Sequence, residues 1–203
     1  MMKSCGWLDI GAASAQCSRS VRNEFWRFGW MMNISNRPLI DATAIQSRVK
    51  ELAAQLDGDY QGRALTVVVV LNGAMFFAAD ITRQMRADIL LESIRVRSYT
   101  GTAPAPELTL FDAGNDAIAG RHILVLEDIV DSGRTAVAIL NHFRARQAAS
   151  ISLCTLLDKP ARRIETVEPV YIGFTIDDHF VVGYGMDYNG RYRQLPHIYV
   201  LES

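Results

Sequence analysis

The sequence predicts an α/β fold, a parallel twisted sheet flanked by helices, on three observations. Leu65–Leu71 reads Leu-Thr-Val-Val-Val-Val-Leu, a β-branched run bounded by polar residues. A continuous apolar run of this length is the mark of a strand covered on both faces, as in parallel sheets. Ile123-Leu-Val-Leu126 is a second apolar run. It feeds a polar, glycine-containing stretch, and then Val-Ala-Ile-Leu, which has no breaker and reads as helix. Finally, strand and helix patterns alternate from 65 to 157, which implies right-handed βαβ crossovers. Ligands in such sheets sit at the carboxyl ends of the strands.

Residues 1–31 differ from the rest. They hold Trp7, Trp26 and Trp30 with scattered Ser and Arg, and they lack the apolar stretch of a secretory signal. Asp9 and Glu24 count against an organelle transit peptide. The expectation is an N-terminal extension outside a core domain at 32–203, consistent with a start codon placed too early, and with no catalytic part.

Within the domain, Asp41 is placed to cap a helix whose apolar face is Ile45, Val49, Leu52 and Leu56, with Gly58 ending it. Strand Leu65–Leu71 follows, then an Asn72-Gly73 turn and a second helix from Ala74. Residues 89–99 alternate in part and read as a strand with one wetter face. The segment 100–120 is long, Pro- and Gly-containing and aperiodic, which leaves open a lid or a tolerated surface insertion. The central motif and its helix run to about Gln147 and precede a strand at 150–157, which ends in Asp158-Lys159-Pro160. Short strands at 170–174, 180–184 and 198–201 finish the chain. Asn72, Tyr99, Glu127 and Lys159 therefore fall at the carboxyl ends of four strands.

The chain has 203 residues, 49% of them hydrophobic, and a formal net charge of −1. That supports one full core and supplies no global field for nucleic acid or an anionic membrane. Cys5, Cys17 and Cys154 are scattered without metal-ligand spacing, which points to a reducing, cytoplasmic setting.

The chemistry concentrates in Leu126-Glu-Asp-Ile-Val-Asp-Ser-Gly-Arg-Thr135. A strand opening through a glycine turn into a helix N-terminus suits an anion, because free N–H groups and the helix dipole point at it. Glu127, Asp128 and Asp131 would repel a phosphate. They make sense if they face another part of the same ligand, such as sugar hydroxyls, a metal ion, or a proton to be accepted. An ordinary turn with Asp131 or Ser132 as N-cap is the plainer alternative.

This stretch resembles the thirteen-residue phosphoribosyl pyrophosphate motif of the type I phosphoribosyltransferases. Three further stretches look like the bacterial hypoxanthine–guanine branch of that family: Leu156-Leu-Asp-Lys-Pro-Ala-Arg-Arg163, Phe180-Val-Val-Gly-Tyr-Gly-Met-Asp187 with Tyr-Asn-Gly-Arg-Tyr-Arg193 after it, and Ser98-Tyr-Thr-Gly-Thr102. The resemblance runs from about Pro38 to the end. It implies the type I phosphoribosyltransferase fold, with a small hood built from the terminal segments. It also implies purine salvage, the transfer of phosphoribosyl to N9 of hypoxanthine or guanine, giving IMP or GMP plus pyrophosphate. By the same resemblance Asp131 is the catalytic base toward N7. Glu127 and Asp128 bind the ribose hydroxyls directly or through Mg²⁺, and Asp187 helps hold that ion. Ser132, Gly133 and Thr135 wrap the 5′-phosphate. Lys159 donates to the 6-oxo group, Phe180 stacks on the purine and the Val181 backbone reads its edge. Arg193 meets the pyrophosphate, Ser98 and Tyr99 belong to the lid, and a cis Leu71–Asn72 peptide turns the backbone of Asn72 and Gly73 toward the pyrophosphate. A homodimer or homotetramer is expected.

Singly, Phe180 would read as core, Lys159 as a solvated charge, and Asp187 with Arg193 as a surface pair. The chain departs from the family at Asn72, where lysine is common, so a charge on the pyrophosphate side is missing. Arg134 receives no role. Two rivals stay open: a xanthine-preferring transferase built of the same parts, and a non-catalytic regulator that senses phosphoribosyl pyrophosphate and binds nucleic acid.

Overall fold

The computed structural model describes residues 34–98, 108–112 and 118–202. The extension at 1–31, Tyr99 and much of the 100–120 segment lie outside the described residues.

Helix α1, Ala42–Asp59, starts where the Asp41 side chain accepts the Ala44 N–H at 2.9 Å. Such a cap contributes about 1 kcal/mol. Ile45, Val49, Leu52 and Leu56 are completely buried, as their spacing predicts. Gly58 does not end the helix. The last turn continues to Asp59 and closes at Tyr60, whose N–H donates to Leu56 O. Burying the Tyr60 ring outweighs the penalty of about 1 kcal/mol for an internal glycine.

The chain then runs β1 Leu65–Leu71, α2 Met75–Gln84, β2 Ile89–Ser98, β3 Leu108–Asp112, β4 His122–Val130, α3 Arg134–Ala145, β5 Ser150–Asp158, a 3₁₀ turn at Pro160–Arg162, β6 Tyr171–Thr175, β7 Val181–Val182 and β8 Tyr199–Val200. Six strands form one sheet in the order β3-β2-β1-β4-β5-β6. Five of them are mutually parallel, and β3 lies antiparallel at the edge. Strand β3 is a correction to the aperiodic reading of 100–120. Its five residues give too short a local pattern, and pairing with Ile94–Ser98 of β2 is what makes them a strand.

Alternate residues of the central strands feed two cores. Leu65, Val67, Val69, Leu124, Leu126 and Leu156 pack under α1 and α2. Val68, Val70, Ile123, Val125 and Leu153 pack on the other face with Ile139 and Phe143 of α3. The sheet is thus covered on both sides, which explains the unbroken apolar run of β1. The strand order reverses between β1 and β4, so the crevice at their carboxyl ends is the switch point where ligands bind in open α/β sheets.

The hood joins both termini of the described chain. β7 pairs antiparallel with β8, and Ile34 and Ile40 bridge to Leu201 and Ile198. Its strands are shorter than the sequence suggests because Gly183, Tyr184 and Gly185 all take positive φ and end β7 at once. No helix among the described residues is long and apolar enough to cross a membrane.

Candidate active site

Strand β4 stays paired with β5 as far as Val130, opposite Asp158. Pairing with β1 ends at Leu126, so Glu127 and Asp128 project from the part of β4 held by β5 alone, on the side where β1 has turned away, rather than from the loop after the strand. Asp131 and Ser132 make the turn. Gly133, at φ 84°, takes the N-cap position of α3 with no side-chain cap hydrogen bond. Neither Asp131 nor Ser132 is the cap, and with no side-chain cap among the described residues the helix N-terminus is suited to an anion. A Cβ at Gly133 would press on Val167 and Arg163, so the turn is closely backed from behind.

The acids are not at ease. Glu127 is buried and its Oε2 has no hydrogen-bond partner among the described residues. Burial first, and the adjacent Asp128 carboxylate second, push its carboxyl well above the usual range. Burial also raises Asp128, against backbone hydrogen bonds and the Arg193 charge, which pull it down. In Asp131 one oxygen, Oδ1, is buried without a partner among the described residues, while Oδ2 lies 3.5 Å from Lys159 Nζ.

At the end of β1 the Leu71–Asn72 peptide is cis, as the resemblance implies. Gly73 sits directly against Asp128: a Cβ there would run into the Asp128 carboxylate. Gly185 of the hood sits as closely on the Gly73 carbonyl. Three distant segments thus converge through two missing side chains. Asn72 is exposed, and its Oδ1 lies 3.4 Å from Arg95 Nη2 on β2. A guanidinium thus stands at the edge where the expected lysine is absent. Ser98 ends β2.

Lys159 follows β5 and is buried, with Nζ 3.0 Å from Asp178 Oδ1 and 3.0 Å from His179 O, besides Asp131. Its hydrogen bond holds Asp178 below the usual carboxylate range. Phe180, by contrast, is 53% exposed and meets Tyr188 edge-on at 5.7 Å. Lys159, Phe180, Val181, Asp131, Asp128 and Asp187 line a pocket of about 190 Å³. A second pocket of about 200 Å³ is lined by Leu71, Gly73, Val96, Glu127, Asp128 and Thr135. Asp128 belongs to both.

Asp187 is engaged twice. Its Oδ1 pairs with Arg193 Nη2 at 2.6 Å and its Oδ2 accepts the Gly190 N–H at 2.7 Å. Arg193 also donates to Gly185 O. Among the described residues no three acidic, His or Cys side chains form a ready metal cluster. The expected ligand set Glu127, Asp128 and Asp187 is therefore not preassembled, because Asp187 is held by Arg193 and the 187–190 turn.

Three contributors escape sequence reasoning. Asp178 shares Lys159 with the site, Gly185 packs on Gly73, and Arg163 grips the loop carrying Asp131. All three stand within or beside the stretches quoted above. Only their partners, from 19 positions away for Asp178 to 112 for Gly185, reveal what they do.

Residues 39–189 match the family model described as phosphoribosyl transferase domain. The chain belongs to the phosphoribosyltransferase family. It is 41% identical over 165 residues to the hypoxanthine-guanine phosphoribosyltransferase of Bacillus subtilis, across 81% of this chain and 92% of that one. It is 39% identical over 173 residues to the bifunctional protein TilS/HprT of Listeria innocua, across 85% of this chain and 27% of the relative. The chain thus spans about a quarter of that longer relative. A crystal structure of a hypoxanthine phosphoribosyltransferase from Staphylococcus aureus superposes with a TM-score of 0.78 at 36% identity, covering 82% of this chain and 91% of that one. The phosphoribosyltransferase match takes in the site from Asn72 to Asp187, and Arg193 lies just beyond it.

Proposed function

We propose that this phosphoribosyltransferase transfers the phosphoribosyl group of phosphoribosyl pyrophosphate to N9 of hypoxanthine or guanine, with Mg²⁺, releasing pyrophosphate. The observation that carries this reading is the pair of adjoining pockets that share Asp128. One offers a buried lysine and an exposed aromatic ring; the other offers glycine backbone, a hydroxyl and a buried acid.

In this reading Phe180 stacks on the purine and supplies affinity for any base. Lys159 supplies the choice of base: its ammonium exchanges one of its present acceptors for the 6-oxo group. Asp131 accepts the N7 proton through Oδ1, the oxygen that has no partner, as N9 attacks the ribose carbon. The first-turn N–H groups of α3, with Ser132 and Thr135, hold the 5′-phosphate. Asn72 and Gly73 present backbone N–H groups to the pyrophosphate, and Arg193 adds charge to it. Glu127 and Asp128 accept hydrogen bonds from the ribose hydroxyls.

The donor set fits Mg²⁺, which takes carboxylate and phosphate oxygens and keeps several waters, so a preassembled protein cage is not required. Glu127, Asp128 and Asp187 would hold it, and the unpartnered Glu127 Oε2 supports a cation or a sugar hydroxyl there. When bound, the ion neutralises charge on the departing pyrophosphate.

The deciding measurement is turnover of the purified chain with phosphoribosyl pyrophosphate and, in parallel, hypoxanthine, guanine, xanthine and adenine. Hypoxanthine and guanine should be used in clear preference to adenine. A strong preference for xanthine would favour the rival transferase, and no turnover with any base would favour the sensing regulator.

A further inference from the structure

We propose that Arg163 is a positioning residue for the proton transfer: it fixes the backbone beneath Asp131 and ties that backbone to the segment carrying Lys159. The inference rests on Asp131 as the proton acceptor. Arg163 lines neither of the two site pockets. It lies behind the phosphate loop, on a separate cleft of about 520 Å³. There its guanidinium is used on every side. Nε donates to Asp131 O at 3.0 Å, Nη2 to Val130 O at 3.3 Å, and Nη1 to Val167 O, while Nη2 also pairs with the Asp158 carboxylate.

The neighbouring amides continue the same grip. Lys159 N–H donates to Val130 O at 2.9 Å, and Ile164 and Glu165 N–H both donate to Ser132 O at 2.9 and 3.0 Å. All three carbonyls from Val130 to Ser132 are therefore drawn back toward 159–165. Carbonyls turned one way leave the loop's N–H groups and the Asp131 side chain to face the other, toward the pockets. Arginine suits this task where lysine does not, because a planar fork of five donors engages several acceptors in fixed directions. Asp158 precedes Lys159 directly, so the residue anchoring Arg163 and the residue choosing the base share one backbone. A shift of Asp131 by a fraction of an ångström would pass to Lys159 through this link, and the reverse.

A purely structural clamp would make turnover and stability move together, independently of Asp131. The test is a double-mutant cycle in the full chain. Arg163→Lys keeps the charge beside Asp158 and removes the fork. It should lower kcat by about tenfold or more while both KM values stay within about threefold. In an Asp131→Asn background the same substitution should cost less than about threefold, because both changes act on one step. Multiplicative losses would overturn the proposal, and so would an unchanged kcat beside a lowered melting temperature. If Arg163→Lys fails to fold, Asp158→Asn loosens only the anchor of Arg163 and enters the same cycle. Near-parental turnover of Asp131→Asn alone would remove the underlying reading of Asp131. Severe loss in Asp131→Asn with multiplicative losses in the cycle would remove only the role of Arg163.

Discussion

The two sides of the site differ in how far the protein satisfies itself. On the purine side Lys159 already has three acceptors within 3.5 Å, and its polar needs are met before any base arrives. On the phosphate side Glu127 Oε2 is buried with no hydrogen-bond partner among the described residues, and Gly133, at the N-cap of α3, makes no side-chain cap hydrogen bond. A buried polar atom without a partner costs about 1–3 kcal/mol. Glu127 is thus held in a state that a ligand relieves, while Lys159 must give up one contact to gain another. Substitutions should therefore act differently on the two sides.

The largest effect is expected where both sides meet. Gly73→Val places a side chain on the Asp128 carboxylate and displaces the one residue common to both pockets. Turnover should fall beyond about 10⁴-fold, with the protein still folded by circular dichroism. Turnover within tenfold of the parent, on the order of a mild steric defect, would mean that Asp128 is free to move.

Asp131→Asn keeps the shape of the site and removes the acceptor. A loss of about 10²–10⁴-fold in kcat is expected, read by steady-state assay with both substrates saturating. A loss confined to KM would make Asp131 a binding residue instead.

Lys159→Gln tests the self-satisfied side. Catalytic efficiency for hypoxanthine and guanine should fall about 10–100-fold, the worth of a charged hydrogen bond, while the KM for phosphoribosyl pyrophosphate changes only a few-fold. Equal losses for both substrates would show that its role is to hold Asp131 and Asp178 in place.

Glu127→Gln tests the strained side. Burial and Asp128 already favour the neutral carboxyl of Glu127, so the neutral amide should leave the melting temperature within about 2 °C while turnover drops. A lowered melting temperature would show that the acid is satisfied in the free protein. The smallest effect belongs to Asn72→Ala, whose side chain accepts a long, exposed hydrogen bond of 3.4 Å from Arg95. The KM for phosphoribosyl pyrophosphate should stay within about threefold, and a larger rise would place the Asn72 side chain itself on the ligand.

Much of this was legible locally. The face of α1, the two-sided burial of β1 and the turn into α3 follow from spacing and residue type within single windows of the chain. The motif from Leu126 to Thr135 also marked the site, because acids beside a helix N-terminus demand a ligand with both anionic and hydroxyl groups. Less was legible where the partner is remote. β3 has no strong pattern of its own and exists as a strand through β2. Asp187 pairs with Arg193 through Oδ1 and takes the Gly190 N–H through Oδ2, and nothing in the order Asp-Tyr-Asn-Gly-Arg-Tyr-Arg says which oxygen each donor will take.

By itself, then, the sequence determined the parallel sheet, the order of its elements and the residue types at the carboxyl ends of the strands. Hydrophobic period and turn chemistry act over a few residues and can be read in place. The tertiary structure alone decided that Gly73 must be bare because Asp128 lies against it, that Lys159 is shared among Asp131, Asp178 and a backbone carbonyl, and that Arg163 holds the loop from behind. Those facts depend on close contacts between residues that are 19 (Lys159 and Asp178) to 55 (Gly73 and Asp128) positions apart in the chain, and such contacts exist only once the sheet has brought its strand ends together.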